Sequence, residues 1–108
     1  MKTFEDLEFI QTYRKKKHGV NQWNAQLEIR PGLVLSVAYG SGVYSTMNDD
    51  QPDTFEVALF FGNDMVPLQT FDEVLGWQSK DHTNHLIEQI TNNKNFVKER
   101  IDIYHEQH

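Results

Sequence analysis

The stretch Gln22–Arg30, QWNAQLEIR, alternates without a break: Trp23, Ala25, Leu27 and Ile29 stand between Gln22, Asn24, Gln26, Glu28 and Arg30. A period of two over nine residues puts every apolar side chain on one face of an extended strand, an arrangement a helix does not produce. Pro31-Gly32 follows at once. Proline presets a negative φ at the first turn position, and glycine supplies the positive φ that the second requires. The next run, LVLSVAY, alternates again, with Leu33, Leu35, Val37 and Tyr39 in phase and Ser36 opposite. Two amphipathic strands joined by a tight turn make an antiparallel hairpin with one apolar face, and such a face needs a cover.

Further segments extend the sheet. FEVALFF (Phe55–Phe61) reads as a third strand, with Phe55, Val57, Leu59 and Phe61 inward and Glu56 outward. Gly62-Asn63-Asp64 is turn chemistry leading into MVPLQ, a fourth strand whose Pro67 lacks an amide donor and therefore belongs at a sheet edge. Upstream, Thr3-x-x-Asp6 resembles a capping box, and Phe4, Leu7 and Ile10 fall at helical spacing with Phe9 off that face. The pattern predicts a short N-terminal helix. TFDEVLGWQSKD reads as a connector with one helical turn around Asp72 to Leu75, ended by Gly76, and with Trp77 packed at the sheet–helix junction.

Ser79 or Asp81 then caps a helix. Thr83, Ile87, Ile90, Lys94, Val97, Ile101, Tyr104 and His108 recur at alternating spacings of four and three. That phase crosses TNNKN, whose helix propensity is poor. The phase favours one helix from about His82 onward; the asparagines favour two that meet near Asn93. The expected fold is α+β: an antiparallel β-meander of three to four strands with a C-terminal helix, long or broken, packed on one face. Residues 1–92 form the core of a single domain and 93–108 a helical extension.

Composition removes several kinds of chemistry. With no cysteine among 108 residues, the chain has no disulfide scaffold, thiolate cluster or cysteine nucleophile. No apolar run approaches the roughly 20 residues that span a bilayer, and acidic residues stand where a signal peptide needs its apolar region. The expectation is a cytoplasmic protein with no membrane partner. The net charge is −6, with six basic residues against four acidic up to Leu35 and four against twelve from Ser36 onward. Nucleic-acid binding needs a basic face, and the one basic cluster, YRKKKHG (Tyr13–Gly19), reads as a solvated linker, with a phosphate-touching arm that makes the protein nucleic-acid-associated as the alternative. The acidic remainder leaves imitation of nucleic acid as an alternative.

No catalytic, cofactor-binding or metal-binding residues are expected. Gly40-Ser41-Gly42 lacks both the third glycine and the following helix of a dinucleotide loop, and no G-x-S-x-G elbow is present. The acids of NDDQPD lie in a polar loop without the spacing of a calcium site. His82/His85 and His105/His108 are each spaced to share a helix face, but the pairs lie roughly 30 Å apart on a continuous helix; Glu88 or Asp81 is the carboxylate available beside the first pair, and fraying works against a rigid site at the second. An enzyme would need His82, His85 and an acid to converge in one pocket.

Binding is the remaining reading. Phe60 is out of phase with its strand and shares the outer face with Ala58, so it meets either the N-terminal segment or a partner. Val97, Ile101 and Tyr104 form a stripe, with Phe96 and Ile103 along a second edge. Leu86, Ile87 and Ile90 suffice to cover a small sheet, which leaves that stripe either to fold back or to associate. Phe60, Val97, Ile101 and Tyr104 are the candidate partner-binding residues, for a protein partner or for a homodimer through the C-terminal helix. The acidic loop Asn48 to Asp53 is a further candidate contact.

GLVLSVAYGSGVYS, DTFEVALFFGNDMVPL and DEVLGWQSKD…LIEQI together resemble the succession seen in a family of small, mostly uncharacterised phage-encoded proteins. Its members pass from a DLEF-like opening through NGYGVSVV-like and YEVAVL-like strands and a DDVLGY/W connector into an amphipathic helix. The likeness covers Phe4 to about Asn92. Here IQTYRKKKHG replaces the family's Pro-His motif, and Lys94 to His108 is an addition. The resemblance implies a phage accessory protein made in a bacterial cytoplasm, and it carries over no catalytic residue; the reading of the residues themselves is a non-enzymatic one.

Overall fold

The computed structural model describes residues 2–15, 20–40, 45, 47–48, 51–68 and 74–107. Its frame is the hairpin. After β1 (Ile10–Lys15), β2 (Val20–Arg30) pairs antiparallel with β3 (Leu33–Gly40), placing Leu27 opposite Leu35, Ala25 opposite Val37 and Trp23 opposite Tyr39. Gly32 takes φ +82°, and a Cβ there would meet nothing within 4 Å. The backbone angle alone calls for glycine. Pro31 excludes the mirror-image turns that usually match strand twist in two-residue hairpins. The register slips between Glu28 and Arg30 instead, a bulge that supplies extra local twist.

β4 (Met47–Asn48) and β5 (Gln51–Pro52) form a separate small ribbon, before β6 (Phe55–Phe61), β7 (Asp64–Val66) and β8 (Leu75–Gln78) complete the main sheet. Among the described residues that sheet has six strands in the order β1-β2-β3-β6-β7, with β8 also on β6. β7 pairs the Leu59–Phe61 half of β6 and β8 the Phe55–Val57 half. The two are segments of one edge. Pro67 follows β7 directly and has no amide to donate, so the chain leaves the edge there and rejoins it at Leu75.

The count of strands therefore exceeds the three to four expected, because two segments read otherwise are extended. The N-terminal segment keeps its capping box, with Asp6 Oδ2 accepting from the Thr3 amide at 2.7 Å. Its helix is a single 3-10 turn, Phe4–Asp6, and Ile10 onward pairs with β2. The β2 edge offers these residues a ladder of hydrogen bonds that an isolated short helix cannot match. The same holds for Leu75–Gln78, read as part of a connector with a helical turn; Asp72 and Glu73 lie outside the described residues, as do Lys16 to Gly19 and Ser41 to Tyr44.

Two rows cross the inner face: Leu27–Leu35–Leu59–Val66, and Ala25–Val37–Val57–Leu75. All but Leu75, which packs against the others, are buried. Their cover comes in two parts. α1 (Lys80–Asn92) contributes Thr83, Leu86, Ile87 and Ile90. At the other end of the strands, Phe4 and Phe9 bring rings onto Phe55, at centroid distances of 5.0 and 5.8 Å. Phe9 also meets Tyr39 edge-on at 5.0 Å, and Tyr39 stacks on Trp23 at 5.0 Å. The off-face Phe9 is thus a core ring, since the segment that carries it is extended.

α1 is pinned at both ends. Ser79 Oγ accepts from the His82 amide at 3.1 Å, an N-cap as expected. Asn84 Oδ1 accepts from the Phe4 amide at 2.6 Å, and Lys80 pairs with Glu5. At the C-terminal end, Arg30 Nη1 donates to the Ile90 carbonyl at 3.2 Å. The helical region is two helices, α2 being Phe96–Gln107. Asn93 makes the break: its backbone is extended, its Oδ1 accepts from the Asn95 amide at 3.0 Å, and its Nδ2 donates to Glu99 Oε2 at 2.9 Å. Local side-chain bonding of this kind is what makes asparagine a poor interior helix residue.

Two aromatic positions depart from their inward reading. Phe61 is 52% exposed, being the last residue of β6 beside the Gly62 turn. Trp77, expected at the sheet–helix junction, is 56% exposed with φ +52°. A bulge in the β6–β8 register turns it outward.

Phe55 is buried and meets the rings of Phe4, Phe9 and Tyr39. Phe55→Ala should destabilise the fold by about 3–5 kcal/mol, whereas Phe61→Ala should cost less than about 1 kcal/mol; urea unfolding of the two variants compares them. Burial raises the Tyr39 phenol above the ordinary tyrosine value. The folded state therefore holds this proton more tightly than the unfolded chain, and the associated stability is lost as pH rises from about 10 through the folded value. Unfolding midpoints should fall more steeply with alkaline pH in the wild type than in Tyr39→Phe.

Candidate functional site

Alternation that buries one face of β3 and β6 presents the other. Three cross-strand rows follow from the register: Asn24–Ala38–Glu56, Gln26–Ser36–Ala58 and Glu28–Val34–Phe60–Met65. On β2 these outward residues are polar or charged, as the sequence pattern requires. Asn24 Nδ2 donates to Ser36 Oγ at 2.7 Å, closing part of that side. Toward β6 and β7 the face becomes apolar, with Val34, Phe60, Met65, Ala38 and Ala58 half-buried. None of these five belongs to the core cluster or packs against it. Both helices and the N-terminal rings lie on the opposite face. Phe60 is therefore not covered by the N-terminal segment, which the Phe4–Phe55 and Phe9–Phe55 contacts hold on the inner side.

The C-terminal stripe is divided. Phe96 is buried and Val97 packs against the core, so the first turn of α2 folds back on the domain. Tyr104 is half-buried, while Ile101 and Ile103 are 37% and 42% exposed. The outer half of α2 thus carries apolar side chains into solvent. Phe60 and α2 stand on opposite sides of the sheet and do not form one surface. Of the acidic loop, Asn48 and Pro52 close the small β4–β5 ribbon, and Asp49 and Asp50 lie outside the described residues.

A groove runs beside α1 where its outer face meets β8 and α2. Leu68, Leu75 and Leu86 line it with Gln78, His82, His85, Gln89 and Arg100, around about 330 Å³. A second hollow, about 380 Å³, lies between the helices and shares Gln89 and Arg100 with the first. The guanidinium of Arg100 rests over the Phe96 ring at 5.0 Å. His82 and His85 do share a helix face, but no acid joins them among the described lining residues. Among the described residues, no group of three metal-ligating side chains forms.

The sequence phase placed Phe60 on the outer face, where the register puts it, but did not single out its neighbours Val34 and Met65. Val34 was legible as the outward neighbour of Leu33 and Leu35; Met65 joins the row only through the β6–β7 register. Arg100 was invisible, because its place in the groove depends on the angle between two helices. Among the described residues, no helix is long and apolar enough to cross a membrane. Compared with protein-family models, curated proteins and solved structures, the chain matches none.

Proposed function

We propose that this chain acts by binding another protein, without catalysis, and that the open face of its sheet is the contact surface. The observation that carries this reading is the half-buried row Val34–Phe60–Met65, on the face opposite the core and outside the described residues that pack against it. An aromatic centre among small apolar residues, bordered by the polar outward positions of β2, has the arrangement of an interface core and its rim. A sheet face with no binding role normally carries polar side chains throughout. The setting that goes with the proposal is the one the sequence resemblance implies: a small phage accessory protein in a bacterial cytoplasm, modulating a host or phage protein.

Self-association belongs to the other side of the molecule. We infer that Ile101 and Tyr104, with Val97 beneath them, are where α2 meets its counterpart in a second copy. The exposed isoleucines support this reading.

Affinity capture from nuclease-treated bacterial lysate, with wild type and Phe60→Asp as parallel baits, tests the first proposal. The wild type should retain a protein that the folded variant loses, since a charge at an interface centre costs several kcal/mol. Equal retention by both baits would remove the open face from the account. For the second proposal, sedimentation at about tens of micromolar should give a dimer for wild type and a monomer for Ile101→Glu. A monomeric wild type would contradict it.

A further inference from the structure

The groove beside α1 combines an apolar floor with a cationic rim. Its floor is apolar, with Leu68 and Leu86 buried and Leu75 half-buried. Its rim carries a permanent cation, Arg100, in a chain whose net charge is −6. Among the described residues no carboxylate pairs with Arg100, whose described contact is the ring of Phe96. That contact positions the guanidinium while leaving its N–H fork available, the donor geometry that matches a planar carboxylate. His82 and His85, both exposed on the same rim, add ring N–H donors whichever protonation state they hold.

We propose that this groove binds a small monocarboxylate with a short apolar body, the carboxylate on Arg100 and the apolar part on the leucine floor. The volume, about 330 Å³, falls at the small end of the range for such sites, about 300–1,000 Å³. One fixed positive charge balances one negative charge, which favours a carboxylate over a doubly charged phosphate ester. Two imidazoles without a third ligand disfavour a metal. The groove lies on the helical side of the sheet, so it stands or falls separately from the open face around Phe60.

The test is a nuclear magnetic resonance titration of the isotope-labelled full chain with hexanoate, 1-hexanol and hexyl phosphate. Hexanoate should saturably shift the Arg100 side-chain N–H, the His82 and His85 rings and the Leu68 and Leu86 methyls, and hexanol should not. Arg100→Gln should weaken hexanoate binding by about tenfold, the loss expected for a charge-assisted pair. The exposed double change His82→Gln/His85→Gln, which leaves the floor and core untouched, should weaken it several-fold. A tetrapeptide with a free C-terminal leucine that binds more tightly than hexanoate, while its amide does not bind, would support the site and identify its carboxylate as a chain end. Equal shifts with hexanol, tighter binding of hexyl phosphate, or no saturable shift at these residues would each overturn the proposal.

Discussion

The apolar inner face of the sheet has to be sealed, and the seal is made by two pieces from opposite ends of the chain. Phe4 and Phe9 close one end of it by ring contacts onto Phe55 and Tyr39. α1 closes most of the rest with Leu86, Ile87 and Ile90. The two pieces are tied to each other through Asn84, Lys80 and Glu5. Arg30, at the turn of the founding hairpin, holds the far end of α1 by its last buried carbonyl. The remaining features of the molecule follow from how far this cover reaches.

Among the described residues both covers lie on one side, and the outward positions of β3, β6 and β7 fall outside the core and its packed neighbours. A sheet with one wet face is ordinary for antiparallel strands, and polar outward positions are the ordinary solution. β2 follows that rule with Gln22, Asn24, Gln26 and Glu28; β6 and its neighbours do not, and Phe60 is the centre of the departure. The same accounting explains α2. Phe96 and Val97 use what remains of the inner surface, and Ile101 and Ile103, farther along, have no intramolecular target of comparable depth. The meeting of α1, α2 and β8 then leaves the cationic groove as a third feature, generated by helix placement rather than by strand alternation.

Alternation made β2, β3 and β6 legible residue by residue, down to which side chains face the core, with Phe61 at the end of β6 the exception, because a period of two has one physical meaning when one face is sealed. The Ser79 cap and the inward side of α1 were legible for the same kind of reason. The edges were not. Ile10 and Leu75 lack an alternating context of their own, and they are extended because a neighbour with free hydrogen-bonding groups lies beside them, a tertiary cause that local pattern does not encode. Whether the C-terminal region is one helix or two depended on a single residue, Asn93, whose side chain bonds locally in preference to continuing the helix. Of the candidate contacts, Phe60 was readable from phase. The division of the α2 stripe between core and solvent was not, since it depends on where Phe96 lands.

The central claim is an asymmetry: one face of the sheet is sealed and the other, apolar around Phe60, is open. Relaxation of side-chain signals by a soluble paramagnetic probe measures this directly on the intact protein. The account predicts strong broadening at the Met65 and Val34 methyls and the Phe60 ring, with the Leu35, Leu59 and Val37 methyls protected. Protection of both sets alike would mean that the outer face is covered, and would contradict the account.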